Sequence, residues 1–600
     1  MRTDEPDVRV VRKLRPTQSE IGEIDKAALF EFEKRKTIIY EAYEDTNCLV
    51  ELDEEPPHEL NREALEIALQ VALLLGSTPV DEVHVMRKVV IDGSTPFGFQ
   101  RTCVVAIGGS INVGGKTIPI QHVGLEEDAA RKVGEDVETV YYRLDRLGIP
   151  LIEVATAPVI EDPEEARRVA LAIGRIMRAT GKVKRGLGTV RQDLNISIRG
   201  GAITEVKGVQ DLDLIPKVIE NEVLRQLKLL ELREELKKRG LSADELRPEI
   251  VDATPIFAKT ACKVIKKALK AGGIVLALRL PKLGGLLAKE IMPGHRFGKE
   301  LSDIASAWSG LRGLFHTDEM PAYGITNDEV EALKMLVSAG PQDAVVFVAG
   351  EQERCRKALT AVLERVKEAL IGVPRETRMA LPDGKTRFMR PRPGAARMYP
   401  ETDVPPVKLS QDYIKALMTR LPKTPEQIVE HLVGQYGLNE KLAWQIVDAE
   451  RVEFFERAAR ETGVPATVIA TTLTETLKSL RREGLDVDAL SDEQLLELFH
   501  MIGRGETFKE AIPDVLRWLC KNKGGSPREA LEALGLRPLS DEELIVIIEE
   551  VMRSSPKLVR EGHKAFGKLM GLVMKRVRGR ADPAKVSALL KEALSRGAGK

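Results

Sequence analysis

The periodicity of the apolar residues changes along this chain, and the change limits the folds open to it. Residues 1 to about 275 mix helical and strand patterns, with a helical run at 59–75 and candidate strands at 83–91 and 100–107. Asp162-Pro163-Glu164-Glu165 supplies an acidic N-cap and a first-turn proline ahead of a second amphipathic run. In TVRQDLNISIRG, Val190, Leu194, Ile196 and Ile198 share one face, and Thr189, Arg191, Asp193, Asn195 and Ser197 the other. A Gly200-Gly201 turn then leads into AITEVKGV, so the two segments read as a hairpin with one core face and one polar face. Residues 276–395 form a different unit, with the apolar strand DAVVFVAG and the helix ERCRKALTAVLERVKEAL. The Pro/Gly/Arg-rich segment RFMRPRPGAARMYPETDVPPV follows and is expected to be irregular, a boundary or an exposed binding loop. From Ser410 to the end the pattern is nearly all helical, with capping sequences at Ser491-Asp492-Glu493-Gln494 and Ser540-Asp541-Glu542-Glu543. Strands confined to the first two thirds make the fold class α+β, and 600 residues at about 150 per domain suggest about four domains.

Five cysteines, widely spread and without a C-x-x-C pair, argue against a disulfide framework or a cysteine-rich zinc site and for a reducing compartment. No apolar run is long enough to span a membrane and the N-terminus carries acids, so a cytoplasmic location is expected. The charge balance, 91 Lys and Arg against 92 Asp and Glu, argues superficially against a nucleic-acid partner. It hides an asymmetry: residues 551–600 hold 13 basic and 3 acidic side chains, leaving 78 against 89 in the first 550. A phosphate backbone responds to that local field more than to the formal sum.

Three groups could carry chemistry. HVGLEEDAARKV gathers His122, Glu126, Glu127 and Asp128, and magnesium is the natural cation for an oxygen-only set. A solvated acidic helix start, running into AARK, is the plainer alternative. Glu153 in GIPLIEVATAPV and Glu205 in GAITEVKGV are acids inside apolar strands, which must face solvent or find a partner. Convergence on Glu126 or Glu127 around one cation would satisfy them, and a salt bridge from Glu205 to Lys207 would serve as well. Phosphate-binding loops of the P-loop and dinucleotide kinds are absent, although DGSTPFGFQRT and KRGLGTVRQD could each offer backbone N–H groups and an Arg to phosphates. In the tail, Met570, Val573, Met574 and Val577 form an apolar stripe flanked by Lys568, Lys575, Arg576, Arg578 and Arg580. Such a helix can meet phosphates without reading bases; a membrane surface is the rival, though aromatic anchors are lacking.

Read together, long blocks of the chain resemble the transamidation subunits of the tRNA-dependent amidotransferases, in particular their archaeal E-type branch. The blocks are LRPTQSEIGEIDKAAL, YEAYEDTNCLVELDEEPPHELN, DEVHVMRKVVIDGS, GLEEDAARK, RLDRLGIPLIEVATAP, TVRQDLNISI, EVKGVQDL, RMYPETDVPP and, in the tail, FGKLMGLVMK. The resemblance implies a cradle-like mixed α/β catalytic domain at 1–275 and an inserted aspartyl-tRNA synthetase-like α/β domain at 276–395. The end of the cradle with a helical domain would occupy 396–475, and a basic helical tRNA-binding tail 476–600. It implies an enzyme that uses ATP and Mg2+ to phosphorylate the glutamyl side chain of Glu-tRNA(Gln). Ammonia from an asparaginase-like amidase subunit would then displace phosphate, in a heterotetramer of two amidase subunits and two of these chains. Carried over by motif, the metal ligands and catalytic acids are Glu126, Glu127, Glu153 and Glu205, and the phosphate or carboxylate contacts are Arg87, Lys88, Arg191, Lys207 and Arg397. One departure is that the family's early Glu-x-His, on a strand before LRPTQSE, has no counterpart before Leu14. The expectation drawn from it is that the reading frame continues upstream of Met1, with a noncatalytic tRNA-binding scaffold as the alternative.

Overall fold

A computed structural model describes residues 2–15, 24–136, 138–186, 188–394, 398–560 and 565–597. It divides into two compact units, 1–422 and 423–600.

The first unit is built on an antiparallel sheet whose order is Pro150–Thr156, Lys116–Glu127, Phe99–Ile107, Met86–Val89 and Met398–Pro400. One face is closed by the helix Arg62–Leu74, capped by the Asn61 side chain, which buries Ala68, Leu69 and Ala72 against Cys103, Val105, Val123 and Leu125. The helix Pro163–Ala179, capped by Asp162, packs Val169 and Ile176 into the same core. The other face stays open, with Val104 43% exposed in mid-strand.

A smaller sheet pairs Gln192–Ile196 with Thr204–Val209, in the register of a hairpin. Thr204–Val209 then pairs in parallel with Glu376–Ala380, which turns back through Thr386–Pro391. Residues between Val209 and Glu376 are therefore an excursion from one sheet. They comprise the helix Ile215–Lys238 and a four-stranded antiparallel sheet, ordered Ile250–Asp252, Ile274–Leu280, Ala344–Gly350 and Phe315–His316, covered by the helices Phe297–Ser309 and Gln352–Ile371.

The excursion is fixed to its parent sheet by a buried charge cluster. Glu222 and Arg225 of the long helix, Glu300, Arg365, and Glu376 and Arg378 of the returning strand are all buried. Arg225 donates to Glu222 and Glu300 at 2.9–3.0 Å, and Arg378 donates to both oxygens of Glu300 at 2.9 Å. Three cations meet three anions, so the cluster is neutral, as burial requires.

The second unit is helical. One core runs from Val429 to Leu531; a separate core joins the helices Asp541–Ser554, Phe566–Val577 and Pro583–Gly597 through Leu544, Ile548, Leu569, Val573 and Leu590. Both expected capping boxes, at Ser491 and Ser540, are formed. No helix among the described residues is long and apolar enough to cross a membrane.

The Pro-rich segment 387–407, expected to be irregular, contributes instead to three strands, Thr386–Pro391, Met398–Pro400 and Val407–Lys408. Its prolines sit where missing N–H groups do least harm, at strand ends and in the links between strands.

Candidate active site

The adjacent acids of LEED lie at the end of a strand, not at the start of a helix, because Lys116–Glu127 runs straight into a second extended segment, Arg131–Glu135. Successive side chains of a strand point to opposite faces, so Glu126 and Glu127 are parted.

Glu126 faces the open side. It lies opposite Thr102 on one neighbour and Leu151 on the other, and Lys88 forms an ion pair with it. Glu153 lies opposite Gly124, two residues back from Glu126, which makes the two acids diagonal neighbours on the same face. Diagonal side chains start about 7 Å apart, within joint reach of one small cation. Glu153 is exposed and, among the described residues, has no hydrogen-bonding or ionic partner. Gly124 matters here: a side chain at that position would stand 3.3 Å from the Cys103 carbonyl oxygen, tighter than usual, and in van der Waals contact with Glu153 at 3.9 Å.

Glu127 faces the other side, where Arg101 grips it with two donors, Nε at 2.9 Å. Nearby, Arg87 donates to both oxygens of buried Glu401 at 2.6 and 2.7 Å and to Asp403 at 3.1 Å, and its guanidinium lies over the Phe99 ring. Burial would raise the Glu401 carboxyl, but Arg87 and the Asp403 N–H outweigh it and hold it below the usual range. Arg87, Asp403, Arg101 and Glu127, with Glu126 as well, line a cavity of about 520 Å³, floored by Val85, Phe97, Phe99 and Leu125 and walled by residues 53–61. Cys103 lies in its wall, and burial pushes its thiol up to about 12, so it is no nucleophile.

Asp128 anchors two arginines, Arg146 at 2.8 Å and Arg191 at 3.2 Å. Glu205 belongs to the smaller sheet. Burial would raise its carboxyl, but Lys207 at 3.2 Å, a hydrogen bond from the Thr377 hydroxyl at 2.8 Å, and Arg390 hold it below the ordinary value. Lys207 also pairs with Asp193 at 2.9 Å. The plain ionic alternative for Glu205 is thus realised in the geometry. Among the described residues, no group of three or more His, Cys, Asp and Glu side chains is gathered closely enough to hold a metal by itself. The geometry brings Glu126 and Glu153 together, turns Glu127 away and leaves Glu205 in another sheet. Arg397 lies outside the described residues, as do residues 16–23 of the first matching block.

Arg101, the arginine that DGSTPFGFQRT could offer to a phosphate, is instead engaged by Glu127, and Glu401 and Thr377 were not singled out from the sequence. The only signal is that Arg87 and Arg101 are paired across two strands, which becomes visible once the register is known.

The first unit is thus an α+β catalytic-type scaffold with a carboxylate pair and a lysine on an open sheet face, and a helical unit follows it in the chain. Residues 16–415 match the family described as the GatB/GatE catalytic domain, and residues 453–594 match one described as a GatB domain. The chain belongs to the GatB/GatE family. Its relatives include glutamyl-tRNA(Gln) amidotransferase subunits E of Aeropyrum pernix, 51% identical over 97% of this chain and 91% of the relative, and of Methanocaldococcus jannaschii, 51% identical over 99% and 94%. That of Pyrococcus horikoshii is 47% identical over 95% and 89%.

Proposed function

We propose that the open face carrying Glu126 and Glu153 is where a glutamyl carboxylate is activated. As a member of its family, the chain converts Glu-tRNA(Gln) to Gln-tRNA(Gln) in an ATP-dependent reaction, with ammonia from a partner amidase. The chemistry has two steps. A side-chain carboxylate oxygen takes the terminal phosphoryl group of ATP and ADP leaves; ammonia then adds to the acyl carbon and phosphate departs, leaving the amide.

The observation that carries the siting is the unpartnered Glu153 beside Glu126 on one sheet face. Two carboxylates, completed by water and substrate phosphates, are an ordinary set for Mg2+. Glu126 and Glu153 would hold it, and its charge would offset that building on the phosphate oxygens. Lys88 balances one acid of the pair and stands ready for a phosphate oxygen once that acid has another partner. Arg191, tied to Asp128 but only partly buried, and Lys207, on the neighbouring sheet, are the further cations we assign to phosphate or carboxylate. Arg87 and Glu127 act through their partners: Arg87 fixes the edge strand Met398–Pro400, and Glu127 fixes Arg101. Glu205 keeps Lys207 in place.

The excursion between Val209 and Glu376 includes most of the region read as the aspartyl-tRNA synthetase-like insertion, and its self-contained antiparallel sheet supports that reading. The heterotetramer and the cytoplasmic location rest on the same family likeness. Ammonium salt can replace the amidase in a direct test. With ATP, ammonium and Glu-tRNA(Gln), the chain should form Gln-tRNA(Gln) and ADP in equal amounts; binding of the tRNA without ADP formation would overturn the reading in favour of a scaffold.

A further inference from the structure

Three helices of the first unit answer lysines with acids. Lys228 pairs with Glu231, Lys237 with Glu234, Lys334 with Glu331 and Lys367 with Glu364, each one turn apart. The helix Lys263–Lys270 does not. Residues 253–273 contain five lysines and no acid. Lys263, Lys266, Lys267 and Lys270 are all exposed, as is Lys259 just upstream, and among the described residues none of the five has a hydrogen-bonding or ionic partner. Ile265 is fully buried and Ala268 and Leu269 pack against the same core, which leaves the four lysines, with Val264, on the exposed side of the helix.

Two loops flank that face. A side chain at Gly313 would stand 3.5 Å from the Val264 methyl, which places the neighbouring exposed Arg312, also without a partner among the described residues, beside the helix. A side chain at Gly324 would come within 2.9–3.0 Å of the Ala261 and Cys262 backbone, so the loop carrying Tyr323 lies close to the helix N-terminus. Tyr323 is 66% exposed and is held at φ 57°, a left-handed conformation that costs a bulky residue about 1 kcal/mol or more. Its ring has the Phe315 ring behind it, centroids 6.2 Å apart, and its other side is open. Uncompensated cations beside an exposed, strained aromatic are the elements of a single-stranded RNA contact: charge for the backbone, a ring for an unstacked base.

We propose that this face of the excursion, Lys263, Lys266, Lys267 and Lys270 with Arg312 and Tyr323, is an RNA-binding surface separate from the basic tail, contacting backbone phosphates and one unpaired base of the tRNA substrate. The proposal rests on the tRNA-dependent reading above. An acidic protein could also answer the lysines, with Tyr323 as its anchor; the tRNA-dependent reading is what favours RNA, and the test separates the two.

The test compares the full-length chain with the variant K263Q/K266Q/K267Q/K270Q and with Tyr323→Ala, titrating Glu-tRNA(Gln) across a range of salt. The quadruple variant should bind about tenfold or more weakly at low salt, and its plot of log affinity against log salt should be shallower by about two to four. Tyr323→Ala should weaken binding about fivefold or more with an unchanged salt slope, and Tyr323→Phe should restore it. Every substituted side chain is exposed, so thermal midpoints should not move. If the parent chain binds no tRNA, the functional reading itself fails. If the parent binds and the quadruple variant matches it in affinity and slope, the inference is wrong. Loss of amidase binding with tRNA binding intact would also overturn it, by assigning the face to a protein partner.

Discussion

Glu126 and Glu127 border one cavity but leave their strand on opposite faces and have different partners, Lys88 and Arg101, so their substitutions should differ in kind. Glu153→Gln removes an exposed, unpartnered charge and should change stability by no more than about 0.5 kcal/mol, whereas Glu126→Gln also breaks the half-buried pair with Lys88 and should cost about 1 kcal/mol. ADP formation should fall about a hundredfold or more, as expected when charge facing a transferring phosphoryl group is lost. Glu401→Gln should do the reverse. It leaves Arg87 half-paired in a buried setting and should cost about 3 kcal/mol in urea denaturation, since breaking one side of a buried pair strands the other. A loss below 1 kcal/mol would show that Arg87 finds Asp403 sufficient. The sequence gives the acids of LEED no face, because AARK after them imitates a helix. The strand's alternation also slips: Ile118 and Ile120 are buried, then Val123 and Leu125, a change of phase where the register to both neighbouring strands shifts.

Among the elements, the Glu376–Ala380 strand bears the most. It returns the chain to the Thr204–Val209 strand, supplies Thr377 to Glu205, and plants Arg378 in the buried cluster. Glu300→Gln should destabilise the unit by about 3–5 kcal/mol, because Arg225 and Arg378 would lose their shared anion. The same residue sets an acid limit. Burial alone would raise the Glu300 carboxyl, but Arg378 and Arg225 hold it well below its usual value. A depressed carboxyl stabilises the fold at any pH above its unfolded value, about 4.3, and that contribution disappears only as pH falls through the lower, folded value. Acid unfolding of the parent should therefore be displaced upward in Glu300→Gln. The hairpin at 189–209, the Asp162-capped helix and the tail helices are all readable from period and caps, since each is decided locally. The parallel return of Glu376–Ala380 is not, because its partner lies more than 160 residues away and the segment after it looks like loop.

For the molecule as a whole, the two compact units have cores of their own, which should show as separable unfolding transitions in calorimetry; one cooperative transition would contradict that division. The basic end, 13 cations against 3 anions in residues 551–600, shares its core with the helix Asp541–Ser554, so a clean removal must begin near residue 538. That deletion should weaken tRNA binding and flatten its salt dependence while sparing the fold of residues 1–422. The charge asymmetry was visible in the sequence. The lysine face of the excursion was hidden by it, because a net charge of -1 averages both basic regions away. The most direct measurement is a Mg2+ titration of Glu-tRNA(Gln)-dependent ADP formation by the parent chain, Glu126→Gln and Glu153→Gln. The apparent Mg2+ requirement should rise about tenfold or more in each variant, with tRNA affinity unchanged. Superimposable Mg2+ curves for all three proteins would contradict the placement of the reaction on the open face of the central sheet.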